Sequence, residues 1–467
     1  MKLRNLFLLM VTCTSLQGQT FFKGEIEQLK GWLYPLFKTS EEYTFLNLKY
    51  ETMLDASEVS VVKYMVSDDG KISKLSKSFD IQKRKLCFTT GLGAQSGLLF
   101  GDSDTKNFFV GYNQNWADSK FNYNEYYSGK FTVEKYSEDC KLINKISLEI
   151  EKGKGKESFF HITNSENGKF ISVMSNETCT IYSTEDFKVV REINFEKIPP
   201  TKFEIFPLWD FFLLNDGSLI TVTRQTPITF TKYPVKDEVP ITEEIKLNVS
   251  NPYALVTEIS EDQKRLAVYI AYNDKKPETD QNEITKGIQL IGIDIENFTI
   301  NMNTDYRFGA DLLSALGMND GIKFLQISDY FWNENSFILL CQVIDPRMSP
   351  AVIKKSFLLQ VGSDGKHVFH LIDLEDDRFV LTAMKRFDKK MYLFRSTGGN
   401  VSFRPDKKNF LFLSKIGEDM VYQDLVSEKL DPGKIKLENF VVYPFSKNRL
   451  FVIALSKDKA LPLILQF

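Results

Sequence analysis

The chain has 467 residues, with 43% hydrophobic, 13% aromatic and 26% charged side chains. This is the composition of a globular protein and excludes disordered and fibrous classes. Fifty-nine Lys and Arg oppose 62 Asp and Glu, a net charge of −3, so the chain as a whole exerts no strong attraction on nucleic acid or an anionic membrane. Three histidines supply few metal-ligating nitrogens and few general bases at neutral pH.

Residues 1–18 read as a signal peptide. Lys2 and Arg4 form a short basic start, Leu6 to Val11 an apolar run, and Cys13 to Gly18 a small-residue stretch suited to cleavage. The run is too short to cross a bilayer of about 30 Å, and no later segment reaches 18 apolar residues, so no transmembrane segment is expected. Two other readings stay open: a buried N-terminal strand, and a lipoprotein acylated at Cys13, for which Met10 and Thr12 are poor flanks. The expected location is secreted or periplasmic. A chain rich in Lys, Asn and Phe behind so brief a leader has a bacterial character.

Residues 19–50 form a lead-in segment in which Glu25 to Leu33 carries a weak helical pattern ending near Pro35. From 51 to 467 one unit recurs: an alternating apolar run, a tight polar turn, a second alternating run, then a looser loop. The turns include Ser67-Asp68-Asp69-Gly70-Lys71, Asn164-Ser165-Glu166-Asn167-Gly168-Lys169, Asn215-Asp216-Gly217-Ser218, Ser260-Glu261-Asp262-Gln263-Lys264 and Gly362-Ser363-Asp364-Gly365-Lys366. Asp-Gly and Asn-Gly supply the positive φ that tight hairpins demand, and period-two alternation on either side argues for half-buried antiparallel sheet.

The runs that open these units begin near residues 58, 97, 159, 204, 254, 322, 379 and 440. Such spacing fits propeller blades of about 40–50 residues lengthened by insertions. The runs Leu450 to Leu455 and Leu461 to Phe467 are placed to complete a blade with N-terminal strands and close the ring, removing exposed sheet edges. The chain thus resembles β-propellers of the WD40 and kelch kind in architecture. The resemblance does not reach their motifs: Trp209-Asp210 is a lone match, and Gly398-Gly399 the sole Gly-Gly pair. The predicted fold is all-β, a propeller of about seven four-stranded antiparallel blades, with six or eight as neighbours and two packed β-sandwiches as the rival. A small two-turn helix is predicted over Ala310 to Gly317, with Gly317 at its C-terminal cap.

Once the leader is removed, Cys87, Cys140, Cys179 and Cys341 remain. Three of them lie in apolar strands and read as single buried thiols, although an exported protein permits disulfides. No Cys-x-x-Cys, nucleophile elbow or phosphate-binding loop occurs. His367 and His370 are three apart on a strand and point to opposite faces, so they cannot share a metal. His161 reads as a core-edge histidine, Glu375-Asp376-Asp377 as a solvated turn, and Lys152-Gly153-Lys154-Gly155-Lys156 as a solvated loop. Sequons stand at Asn176, Asn248, Asn297 and Asn400. No catalytic residue, metal site or cofactor is assigned.

The distinctive segment is Tyr112 to Tyr127, a long connection crowded with rings and amides. Flat rings rimmed by hydrogen-bonding groups suit a sugar face or a peptide surface, which makes Tyr112, Asn115, Trp116, Tyr123, Tyr126 and Tyr127 the candidate ligand-binding residues. Packing of these rings onto a neighbouring blade is the structural alternative. The functional expectation is a non-enzymatic platform for a protein or glycan ligand. The alternative is a glycan-active hydrolase or lyase with paired carboxylates at the mouth of the ring.

Overall fold

The computed structural model describes residues 20–23, 27–28, 32–38, 42–50, 56–66, 71–78, 97–113, 129–150, 160–175, 178–195, 209–223, 227–235, 239–260, 262–274, 284–333, 335–345, 352–372, 382–387, 390–397, 409–430, 439–446, 449–455 and 459–466. The leader (residues 1–18) lies outside this set, as do Cys87, Lys152 to Lys156 and Glu375 to Asp377.

The smallest recurring element is the hairpin turn, and its chemistry repeats. In six of the described turns an Asp or Asn side chain accepts the backbone N–H two residues on across a residue of positive φ. Asn167 receives Lys169 at 3.1 Å, Asp186 receives Lys188 at 3.1 Å, and Asp216 receives Ser218 at 2.8 Å. Asp262 receives Lys264 at 3.1 Å, Asp364 receives Lys366 at 3.0 Å, and Asp419 receives Val421 at 3.2 Å. The residue between donor and acceptor has positive φ every time: Gly168, Phe187, Gly217, Gln263, Gly365 and Met420. The side-chain bond closes the turn, so three of the six positions do without glycine. At Gly168 no other residue serves, because a Cβ there would collide with the Gly101 carbonyl of the preceding blade.

These hairpins build seven four-stranded antiparallel sheets in strict chain order. We call the sheet opening with Trp32–Lys38 blade 1 and number onward; the inner strands of blades 2 to 7 are Gly97–Asp102, Phe160–Asn164, Trp209–Leu213, Pro252–Ile259, Leu325–Trp332 and Thr382–Phe387. An eighth sheet closes the circle. It takes Asn439–Ser446, Arg449–Leu455 and Lys459–Gln466 from the C-terminal end and Thr20–Lys23 as its outermost strand, paired Thr20 to Gln466 and Lys23 to Leu463. The molecule is an all-β propeller, with the expected seven four-stranded blades and the terminal closing sheet as the eighth of the ring.

The core lies between blades as a series of apolar seams. Tyr43, Phe45 and Tyr64 of blade 1 meet Phe451 and Ile464 of the closing sheet. Leu36 and Leu46 face Phe108 and Tyr112 of blade 2, and Phe109 and Val133 face Ile162 and Ile171 of blade 3. Further seams join blades 3 to 4, 4 to 5, 5 to 6 and 6 to 7. Thr20–Lys23 touches the outer strand of blade 7, so the ring is complete. Each fully buried Phe or Leu contributes about 1.5–3 kcal/mol, and alternation along a strand feeds two seams at once.

Residues 19–50 are not a helical lead-in. Glu27–Gln28 pairs with the closing sheet, while Trp32–Lys38 and Glu42–Tyr50 are the first two strands of blade 1. Pro35, which suggested an end, sits on an inner edge strand that pairs on one side alone, where its missing N–H is tolerated, next to a register shift between Pro35 and Phe37. The run near residue 58 is therefore the third strand of blade 1, Ala56–Val66.

The helix spans Ala310–Ala315 between blades 5 and 6. Its end is a Schellman motif: Met318 N–H donates to the Leu313 carbonyl, Gly317 N–H donates to that of Ser314, and Gly317 has φ 68°. Cys140, Cys179 and Cys341 are free thiols, the last two buried. Burial pushes the Cys179 thiol up to about 12 and also raises that of Cys341, so neither forms a ready thiolate.

Candidate functional site

Of the six residues proposed for the aromatic loop, Tyr112 is described and the other five, Asn115, Trp116, Tyr123, Tyr126 and Tyr127, lie outside the described residues. Tyr112 is buried in the strand Asn107–Asn113, in the seam between blades 1 and 2. Its hydroxyl donates to Glu134 Oε1 at 3.0 Å, and that of Tyr136 donates to Oε2 at 2.6 Å. Glu134 is 3% exposed. It reaches this position because Thr132, Glu134 and Tyr136 alternate onto one face of their strand. Lys135 points the other way, lies 5.7 Å over the Phe109 ring, and donates to the carbonyls of Thr184 and Glu185.

Near the propeller axis, three blades converge around the inner strand of blade 5. Asp210 is the second residue of the inner strand of blade 4, and its Oδ2 accepts the Thr257 hydroxyl of blade 5 at 2.8 Å. Glu258, exposed, follows on the opposite face of the same strand. Tyr330, on the inner strand of blade 6, packs its ring edge-on against Tyr269 of blade 5 at 5.1 Å. Tyr330 is 6% exposed, and its hydroxyl has no hydrogen-bond partner. Burial raises the pKa of this phenol strongly, and the charges of Glu258 and Asp210 push it the same way. A buried polar group left without a partner costs about 1–3 kcal/mol.

The same kind of rung recurs one junction further on. Asp329, beside Tyr330, accepts the Met384 N–H of blade 7 at 2.8 Å. Burial raises the Asp329 carboxyl pKa, and the Met384 bond and nearby Lys385 oppose that rise.

A second feature is the linkage between hairpin turns on one face. Asn167 of blade 3 donates its backbone N–H to Asn215 Oδ1 at 2.8 Å and its side-chain amide to the Asn215 carbonyl at 3.0 Å. Asn215 of blade 4 in turn donates its N–H to Gln263 Oε1 of blade 5 at 2.7 Å. Three successive turns are thus tied edge to edge.

The histidines stand apart. His367 Nε2 lies 3.1 Å from Asp311 Oδ2 with its ring against Tyr306, whereas His370 meets the edge of Tyr422 on the other face of the strand. His161 lies in the blade 3 inner strand, opposite Met174. No group of three or more His, Cys, Asp or Glu suited to a metal occurs among the described residues.

Sequence reading missed the axial cluster because its members are single acids and tyrosines scattered from 210 to 384. The one available signal was Trp209-Asp210, which places an acid on an inner strand.

No protein-family model matches the chain, and neither does any curated protein. Among solved structures it is similar to a eukaryotic initiation factor, with TM-score 0.43 and 10% identity over 94% of this chain and 86% of that one. It is also similar to dihydro-heme d1 dehydrogenase NirN in complex with DHE, with TM-score 0.41 and 10% identity over 95% and 75%. For Hsv2p of Kluyveromyces lactis the values are 0.37 and 9% over 87% and 98%. Similarity at this level carries no reading of function. Among the described residues, no helix is long and apolar enough to cross a membrane.

Proposed function

We propose that the protein is a secreted or periplasmic, non-enzymatic binding platform for a protein or glycan ligand. The observation that carries this reading is the linkage of the turns of blades 3, 4 and 5 through Asn167, Asn215 and Gln263. Turns tied to one another before a ligand arrives lose little conformational entropy on binding, which is what preorganises a recognition surface. The rings and amides of residues 112–127 add apolar contact and oriented hydrogen bonds for a sugar or peptide. A thermal-shift screen of the chain from residue 19, against oligosaccharides and calcium with a chelator control, tests this. A ligand at a hundred times its dissociation constant stabilises by about 2.7 kcal/mol. A sugar-specific shift abolished by Trp116→Ala supports the loop as the binding element; a flat screen on folded protein removes the small-ligand form of the reading.

A second reading, a glycan-active enzyme, is favoured by Asp210 and Glu258 on the inner strands of the adjacent blades 4 and 5, where Asp210 accepts the hydroxyl of Thr257 beside Glu258. Release of reducing ends that stops in both Asp210→Asn and Glu258→Gln supports it. Turnover that survives in either variant removes it.

A further inference from the structure

We infer that the outer strand of blade 2, Leu142–Ile150, is a dimerisation edge that pairs antiparallel with its own copy in a second molecule. The inference goes beyond the binding-platform reading and does not rest on it. The strand is the last of its sheet, and among the described residues it pairs with Gly129–Tyr136 on its inner side alone. Such an edge presents a row of N–H and C=O groups to any strand that matches it. Its one register shift, between Leu142 and Asn144, lies at the start, and from Asn144 to Ile150 seven residues pair without interruption. The exposed side chains of Leu142 and Ile143 stand at the head of that stretch. Its midpoint is Ser147. When two copies meet antiparallel about Ser147, Lys145 of each comes opposite Glu149 of the other, and Ile146 comes opposite Leu148. The dyad therefore creates two opposite-charge pairs, and it extends the apolar seam that Ile146 already joins between blades 2 and 3.

No other outer strand among the described residues combines this length with this charge pattern. Blade 1 offers Ile72–Ser78, equally regular, but its charges, Lys74 and Lys77, are both positive, so two copies repel. In blade 4 the five residues Ile241–Ile245 have Glu243 at their midpoint, which self-pairing sets against itself. Shorter regular stretches remain elsewhere: four residues in blade 3 and in the closing sheet, six in blades 5 and 6, and five in blade 7.

The test is the mass of the whole chain in solution, by light scattering across a dilution series. The expected mass rises with concentration to twice that of one chain. Lys145→Glu makes the edge all acidic and Glu149→Lys makes it all basic, so each variant alone should associate about tenfold or more weakly. An equimolar mixture of the two variants should recover the dimer, because each edge then meets its opposite. That recovery separates pairing about Ser147 from any other contact and shows that both variants fold. A chain that stays monomeric overturns the inference and leaves the edge to a strand of another protein. A dimer that neither single variant weakens overturns it equally, as do variants whose mixture does not re-form the dimer. The glycan screen has no part in these outcomes, so the platform reading stands or falls separately.

Discussion

The junction of blades 1 and 2 and that of blades 5 and 6 both bury tyrosines in an apolar seam, and they treat the hydroxyls in opposite ways. In the first, Glu134 accepts from Tyr112 and Tyr136, so both oxygens of a buried carboxylate are engaged. In the second, which is the largest apolar cluster of those described, the Tyr330 hydroxyl and the Trp332 indole N–H are buried without partners. A satisfied buried polar group fixes one geometry and contributes to stability. An unsatisfied one costs stability and leaves recognition capacity in reserve. The difference separates a junction whose buried polar groups help hold the ring together from one whose buried polar groups cost it stability.

The sharpest way to break this contrast is Glu134→Ala. It removes the acceptor for two phenols at once and should cost about 2–6 kcal/mol, read from the urea midpoint. A loss within error of zero would mean that the triad contributes nothing to the seam. Next comes a pair of matched substitutions. Tyr112→Phe removes a hydrogen bond to a charged acceptor and should destabilise by about 1.5–3 kcal/mol. Tyr330→Phe removes a hydroxyl that has no partner and should stabilise by about 1 kcal/mol. If the two changes have the same sign in chemical denaturation, the junctions do not differ in the way described.

The smallest effect is a pH slope at Asp329, which shares the inner strand of blade 6 with Tyr330. Its folded pKa is raised above 3.8, chiefly by burial, so the folded state holds this proton more tightly than the unfolded state does. The stability this contributes is fully present below 3.8 and is lost as pH rises through the raised value. Relative to Asp329→Asn, the native protein should therefore lose stability as pH climbs from 3.8, in paired melts across the acid range. A difference that grows with pH has the wrong sign and would place the carboxyl in a more solvated setting.

Much of the ring was legible in the chain. Strand openings expected near 97, 159, 254 and 440 fall at Gly97, Phe160, Pro252 and Asn439. The pairing of C-terminal runs with an N-terminal strand, and the helix capped at Gly317, also follow from pattern alone. The start of blade 1 did not, because Pro35 and the spacing of Glu25, Leu29 and Trp32 imitate the end of a helix, and tertiary pairing overrides such local signals. The turns were recognised by Asp-Gly, yet Asp186-Phe187 and Asp419-Met420 form the same geometry without glycine. The polar junctions were illegible for another reason. Glu134 and Tyr330 look like any acid or ring in an alternating strand. Glu134 takes its meaning from the strand beside it in its own blade, through Tyr112, and Tyr330 from Tyr269 of the neighbouring blade, pairings that a one-dimensional pattern does not carry.

The clasp between Thr20–Lys23 and Lys459–Gln466 joins positions separated by almost the whole chain. During synthesis, Thr20–Lys23 waits for Lys459–Gln466, and until then the closing sheet lacks its outermost strand. Interior blades can form by local hairpins, but the circle becomes cooperative in a single late step whose entropy cost is set by the longest loop in the molecule.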